Sequence, residues 1–342
     1  MRRAESVFFG AALLCTVAAF ASNAAQSSET GSNENSKQSV MIAIPVDYES
    51  QLPGSLILAE SVRKFAGALS DVPIRVFIPS RLTPAITTRK ERLARLDVEV
   101  SEVSVPDEAF DYVLGAKPFL AAQAEREAGG IDLVAILAPN TIMLRTPNAF
   151  LLPQGVTLGF STVHHQNIGS LASKSPDPFW DRLYQVLNVS DREIFTNQTL
   201  ADKATVRFYF NAGSFVIRPA QGLLQAWAEG FQKLISDSAM AKLSAEGPRN
   251  VFLHQAALAG VALKIVDPPQ TMELPDSYSY PLFFERFHGG LLTFDCLEDV
   301  VTMRYEFRSD DLPDGWEAQV NGPPDVLKWI AARLAAYGAS SM

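Results

Sequence analysis

Three short polar segments follow apolar runs, and each holds side chains able to bind a ligand. Pro45-Val46-Asp47-Tyr48 closes the first run, Ala138-Pro139-Asn140-Thr141 a later one, and Tyr209-Phe210-Asn211-Ala212-Gly213 a third. In open α/β sheets, ligands sit outside the carboxyl ends of strands, so these segments are candidate binding loops. Lys117 and Arg304 are cations able to balance an anionic ligand, and the planar fork of arginine pairs bidentately with phosphate oxygens. The alternative for Arg304 is a strand-edge salt bridge. Four histidines occur: His164, His165, His254 and His288. Adjacent strand residues point to opposite faces, so His164 and His165 do not share one metal ion; one of the pair is a candidate general base. The alternative is a hydrogen-bonded histidine near a sheet edge. His288-Gly289-Gly290 is first a turn signal.

Other chemistries are excluded by absence. The chain contains no G-x-S-x-G elbow, no Walker A loop, no H-E-x-x-H and no glycine-rich dinucleotide fingerprint. Its two cysteines are Cys15 and Cys296. No cysteine zinc site is therefore possible, and Cys296 reads as a buried small hydrophobe.

The elements that must position these residues are legible from residue 40 onward. Residues 40–46 read as a buried strand, 56–69 as a helix, 72–78 as a strand, 88–96 as a helix and 98–103 as a strand. Residues 116–128 form an Ala-rich helical stretch stopped by Gly129-Gly130, before an apolar strand over 131–137. Strand–helix–strand units imply a parallel sheet covered on both faces. Further on, 156–162 reads as a strand and 177–187 as a helix. Two strands, 206–210 and 214–217, flank Asn211-Ala212-Gly213. Helices over 220–235 and 250–259, a strand over 262–266 and a terminal helix over 324–336 complete the chain.

The chain resembles the GT-A nucleotide-sugar transferases, especially glycosyltransferase family 8. That pattern runs from a basic residue and a helix into a strand ending in Asp-x-Asp. Phe-Asn-Ala-Gly, a strand ending in Arg-Pro, a helix bearing Asp-Gln-Ala-Ala-Leu, and Leu-Pro follow. This sequence offers Lys117-Pro118-Phe119-Leu120, Phe210-Asn211-Ala212-Gly213, Arg218-Pro219, His254-Gln255-Ala256-Ala257-Leu258 and Leu274-Pro275. The match in order and spacing spans roughly residues 40 to 310. The resemblance implies an α/β fold with a mixed, mainly parallel sheet and helices on both faces. It implies that Pro45, Asp47, Tyr48, Lys117, Asn140 and Arg304 meet the donor nucleotide and phosphates. Asn211, Ala212, Gly213 and Gln255 would meet the sugar, with His164 and His165 on the acceptor side as candidate catalytic residues. For Gly213 the alternative is a tight turn, and for Gln255 a solvent-facing helix amide.

The departures bear on mechanism. Ala138-Pro139-Asn140 stands where the family carries Asp-x-Asp, and Arg304 stands where a late metal-ligand histidine is expected. A hard divalent cation needs anionic oxygen ligands, which alanine and asparagine do not supply, so neither a metal nor any other cofactor is expected. Two functions remain: a metal-independent hexosyl transferase using a nucleotide-sugar and a glycan or protein acceptor, or a catalytically inactive carbohydrate-binding or interaction protein on the same scaffold.

The 342 residues carry a net charge of −9 without a basic run, which argues against nucleic acid as a partner. Residues 1–25, with Arg2-Arg3 ahead of a 15-residue apolar run over 7–21, read as a cleaved signal peptide or a short uncleaved anchor. Residues 26–39 read as a polar stem and 40–342 as one domain. The expectation is a secretory-pathway or exported protein, touching a membrane only through an uncleaved anchor.

Overall fold

The computed structural model describes residues 38–282, 294, 296–305 and 320–338. The N-terminal segment read as a leader, most of the polar stem and His288-Gly289-Gly290 lie outside them. In chain order the elements begin with β1 (Val40–Pro45), α1 (Leu52–Phe65), β2 (Ile74–Pro79), α2 (Thr83–Ala94), β3 (Val98–Val103), α3 (Lys117–Arg126), β4 (Leu133–Leu137) and β5 (Thr141–Met143). They continue with β6 (Leu158–Thr162), α4 (Pro178–Leu187), β7 (Thr196–Gln198), β8 (Thr205–Arg207), β9 (Phe210–Ile217), α5 (Leu223–Ser236), α6 (Ser238–Leu243) and α7 (Gly247–Ile265). The last are β10 (Thr271–Glu273), β11 (Tyr280–Pro281), β12 (Thr302–Arg304) and α8 (Pro324–Gly338).

Seven strands form the central sheet in the order β10-β6-β9-β4-β1-β2-β3. The pairs β1–β2, β1–β4, β2–β3 and β6–β10 are parallel, whereas β9 runs antiparallel to both β4 and β6. A smaller sheet pairs β11 with β12 in parallel and β12 with β5 antiparallel. The mixed, mainly parallel sheet expected from the sequence is what the chain forms.

Alternation along the central strands explains the two layers. On β1, Met41 and Ala43 enter one hydrophobic cluster while Val40, Ile42 and Ile44 enter the other. On β4, Val134 and Ile136 are likewise separated from Leu133, Ala135 and Leu137. Successive side chains leave opposite faces, so near-continuous apolar strands demand helices on both. Helices α3, α4, α5 and α7 cover the first face, and α1, α2 and α8 contribute to the second. Helix α4 starts where the Asp177 carboxylate accepts the Phe179 and Trp180 amides, both at 3.0 Å. It ends at Asn188, whose φ of 55° is the left-handed turn asparagine tolerates.

Two expectations are corrected. Residues 262–266 are not a strand: α7 runs unbroken through Ile265, because its residues from Leu253 to Leu263 are buried against α5 and the sheet. Asn211-Ala212-Gly213 is not a loop between two strands either. It lies within β9, with every residue from Phe210 to Ile217 buried. Local sequence showed an Asn-Ala-Gly break; pairing against β4 and β6 overrides it.

Candidate functional site

The carboxyl ends of β4 and β6 and the amino end of the antiparallel β9 open onto one cleft of about 410 Å³. Lys117, Asn140, His164, His165, Asn211, Gly213, Gln255 and Arg304 all line it. Residues spread over nearly two hundred positions thus converge. Pro45, Asp47, Tyr48 and Ala212, expected at the ligand, do not line it. Pro45 is buried in β1, and the Tyr48 hydroxyl accepts the Leu114 amide at 2.9 Å. Ala212 contributes only its amide, which donates to Gln255 Oε1 at 3.1 Å.

The floor is built from mutual backbone support. Ala138 N–H donates to the Gly213 carbonyl at 2.8 Å, and Gly213 N–H donates to Asn211 Oδ1 at 2.8 Å. Asn211 Nδ2 reaches Ser279 Oγ at 3.3 Å. A Cβ on Gly213 would meet Ala138 Cβ at 3.2 Å, so glycine here permits close approach of β9 to the β4–β5 turn. Asn211 is therefore engaged in holding the floor, and Gln255 lines the cleft with its side-chain carbonyl accepting the Ala212 amide.

Asn140 is a structural clip. Its Nδ2 donates to the Tyr305 carbonyl at 2.7 Å, and its own carbonyl accepts the Tyr305 amide at 3.0 Å. Those bonds extend the β5–β12 pairing and place Arg304, the end of β12, at the rim. Arg304 Nη2 lies 3.5 Å from His164 Nδ1. His164 is 6% exposed; burial first, then Arg304 and His165, lower its pKa to about 3, so it is neutral at physiological pH. His165 is more open, with Nδ1 3.9 Å from Asp202 Oδ2.

His254, which carries no expected role, also lines the cleft. Its Nδ1 is 3.0 Å from the Val251 carbonyl, which can only accept, so Nδ1 carries the proton and Nε2 the lone pair. Burial and the nearby Lys117 ammonium hold its pKa well below the ordinary value. The signal was present in the sequence: His254 stands where the transferase pattern has the aspartate before its glutamine. Gln51 was also missed; it lines the cleft and accepts the Asp47 amide at 2.8 Å.

Lys117 opens α3 and is only 4% exposed; burial lowers its pKa, Asp47 raises it and Arg304 lowers it. Asp47 sits behind it, 1% exposed, and burial lifts its carboxyl to about 6 against the opposing pull of Lys117. Among the described residues, the cleft is lined by Lys117, Arg304 and three histidines, and by no carboxylate. The oxygens lining it belong to amides and carbonyls, so the anionic oxygen ligands that a hard divalent cation prefers are not among the described lining residues. Its two cations favour an anion.

A family model described as the Rhodobacterales glycosyltransferase domain matches residues 46–265. No curated protein matches the chain. Three of the solved structures to which the chain is similar are the following. The galactosyltransferase LgtC, in complex with donor and acceptor sugar analogues, is 14% identical, with a TM-score of 0.45 over 88% of this chain and 95% of that one. Mouse xyloside xylosyltransferase 1 in its apo form is 11% identical, with a TM-score of 0.46 over 78% and 97%. Core-mannan synthase A from Aspergillus fumigatus, in its Mn/GDP form, is 10% identical, with a TM-score of 0.46 over 71% and 74%.

Proposed function

This chain belongs to the Rhodobacterales glycosyltransferase domain family, and on that premise we propose that its cleft binds a nucleotide-sugar. In this reading Lys117 and Arg304 meet the diphosphate charge in place of a divalent cation. The observation that carries it is the lining itself: two cations, no carboxylate among the described residues, and a buried Lys117. A diphosphate leaving an anomeric carbon gathers negative charge, and preorganised cations in a partly desolvated site stabilise that charge. Arg304 supplies paired N–H donors, Lys117 a point charge. Gln255 and Asn211 border the space left for the sugar.

Proton removal from an acceptor hydroxyl is best assigned to His165. His164 is held near a pKa of about 3 and is a weak base. His165 has a carboxylate, Asp202, within 3.9 Å to support the charge it gains.

The second reading, binding without transfer, is favoured by the same absence of a lining carboxylate, since no acid is placed as nucleophile or base. One experiment separates the two. Calorimetric titration with UDP- and GDP-sugars, each in manganese and in EDTA, is followed by assay of nucleotide release. Metal-independent binding that falls at least about tenfold in Arg304→Ala supports the diphosphate site. Binding that requires manganese, or no binding to any nucleotide, sinks it. Binding without release of nucleotide in the presence of acceptors selects the second reading.

A further inference from the structure

We propose that Leu114 receives the nucleoside of the ligand, its apolar side chain kept at the cleft by a left-handed backbone conformation that the surrounding hydrogen bonds enforce. The inference rests on the nucleotide-sugar reading above and assigns the part of that ligand which the cations and the sugar-side amides leave over.

Six non-glycine residues have positive φ among the described residues; five are polar, and the sixth is Leu114, at 58°. The left-handed region crowds a Cβ against the backbone, so glycine, asparagine and aspartate take it most readily and a bulky aliphatic residue rarely does. Leu114 is the third residue of a turn closed by the Gly115 amide, which donates to the Tyr112 carbonyl at 3.1 Å. When φ is positive at that position, glycine or asparagine usually fills it. Glycine occurs one residue later for a separate reason, since a Cβ on Gly115 would lie 2.0 Å from the Ala109 carbonyl oxygen. Core packing does not account for the leucine either: Val113 beside it is 40% exposed, and Leu114 is half-buried and lines the cleft. Three hydrogen bonds fix the turn. Leu114 N–H donates to the Tyr48 hydroxyl at 2.9 Å, Val113 N–H to Asn250 Oδ1 at 3.1 Å, and Lys117 N–H to the Leu114 carbonyl at 3.3 Å. A strained residue that its neighbours over-determine, at the wall of a cavity, points to contact with a ligand.

The chemistry of that ligand follows from what adjoins the turn. Through its carbonyl Leu114 meets the backbone of Lys117, the cation assigned to the diphosphate. Through its amide it meets Tyr48, whose carbonyl accepts the amide of Gln51, another lining residue. Asn211 and Gln255 border the sugar in the proposed reading and His165 the acceptor, which leaves the Leu114–Gln51 end for the nucleoside. A nucleotide-sugar runs from sugar through diphosphate to nucleoside, so a nucleoside contact next to the phosphate cation fits its covalent order. A branched aliphatic side chain suits the apolar face of a base, where release of water and dispersion favour contact, and it has no group to hold a phosphate. Tyr48 then serves the nucleoside at one remove, as a positioning residue.

The test uses the full chain and three probes, UDP, GDP and inorganic pyrophosphate, titrated calorimetrically into the wild type, Leu114→Ala and Leu114→Gly. The wild type should bind UDP or GDP more tightly than pyrophosphate. Both variants should lose about tenfold in affinity for that nucleotide and keep the wild-type affinity for pyrophosphate, which has no nucleoside. Thermal denaturation then separates strain from packing. Both variants lack the leucine side chain, but glycine relaxes the left-handed backbone and alanine does not, so Leu114→Gly should melt about 2 °C above Leu114→Ala. Leu114→Met, which restores an apolar side chain, should recover nucleotide affinity. Equal losses for nucleotide and pyrophosphate would make the turn a support for Lys117 alone and overturn the inference. Unchanged nucleotide affinity in both variants overturns it too, as does a Leu114→Gly that melts below Leu114→Ala. A wild type that binds pyrophosphate but neither nucleotide more tightly sinks the nucleoside contact and leaves the diphosphate site standing; one that binds none of the three overturns the diphosphate reading and this inference with it. If the Leu114 variants do not fold, Tyr48→Phe removes the acceptor of the Leu114 amide and should weaken nucleotide binding without weakening pyrophosphate binding; the same affinities as the wild type are the negative result.

Discussion

Asn140 and Tyr305 grip each other twice, through a side-chain amide donated to the Tyr305 carbonyl at 2.7 Å and a backbone bond at 3.0 Å. The position where the transferase pattern carries a metal-binding acid here contributes a donor. What it holds is the strand whose last residue, Arg304, faces the cleft. Asn140 thus secures the strand that presents a cation of the protein's own to the cleft.

Restoring the acid should not restore a metal site. Asn140→Asp sets a carboxylate against a carbonyl oxygen in a buried position and should cost about 1–3 kcal/mol of stability. Thermal denaturation with and without manganese checks this: a lower midpoint, unchanged by the metal, is expected. A midpoint that manganese raises would show that the acid had rebuilt a cation site.

Gly54→Ala offers a test of how tightly the β4–β5 turn is seated. In an exposed helix the change would gain up to about 1 kcal/mol in propensity. Here a Cβ would lie 2.6 Å from the Pro139 carbonyl oxygen and 3.2 Å from the Tyr305 hydroxyl. The clash with backbone should win, for a net loss of about 1–3 kcal/mol, and nucleotide affinity should fall with it. A variant as stable as the wild type by denaturant unfolding would mean that the turn moves freely.

Asp47 makes stability fall with rising pH. Its folded-state pKa, about 6, lies above the ordinary aspartate value of 3.8, so its contribution is intact below about 3.8 and is lost as pH rises through about 6. At neutral pH the penalty is on the order of 2–3 kcal/mol. Asp47→Asn should therefore be more stable than the wild type at neutral pH and show no advantage near pH 4. Equal urea midpoints at both pH values would count against a buried, strained carboxylate.

His164 acts in the opposite sense. Its folded-state pKa of about 3 lies below the ordinary histidine value of 6.5, so stability is full above about 6.5 and declines as pH falls toward about 3. About 2 kcal/mol should be gone by pH 5, since protonation puts a second cation beside Arg304. His164→Gln should flatten that slope in thermal scans taken between pH 7 and pH 4. An identical slope would place the acid sensitivity elsewhere.

Much of this molecule could be read along the chain. The apolar runs of β1 and β4 demanded cover on both faces, and Gly129-Gly130 and Asp177 marked helix ends by local chemistry alone. The order of motifs pointed to the transferase family, and Ala138, Asn140 and Arg304 were visible as departures from it. Harder to see was where α7 ended, because residues 262–266 are apolar enough for strand or helix, and only burial beside α5 decides. The continuity of β9 through Asn211-Ala212-Gly213 likewise depends on pairing with strands distant in the chain, such as Thr162 with Phe210 and Leu137 with Ser214.

The amino-acid sequence by itself determined the α/β class, the lack of acids at the expected metal positions and the candidate cations, since each depends on residue identity and short-range periodicity. Tertiary structure decided the rest. It enclosed Asp47 behind Lys117 instead of presenting it to a ligand, turned Asn140 into a clip for Tyr305, and brought His254 and Gln51 to the cleft. Those outcomes depend on which charges share a low-dielectric space, and that is a property of packing between distant segments, which no local pattern encodes.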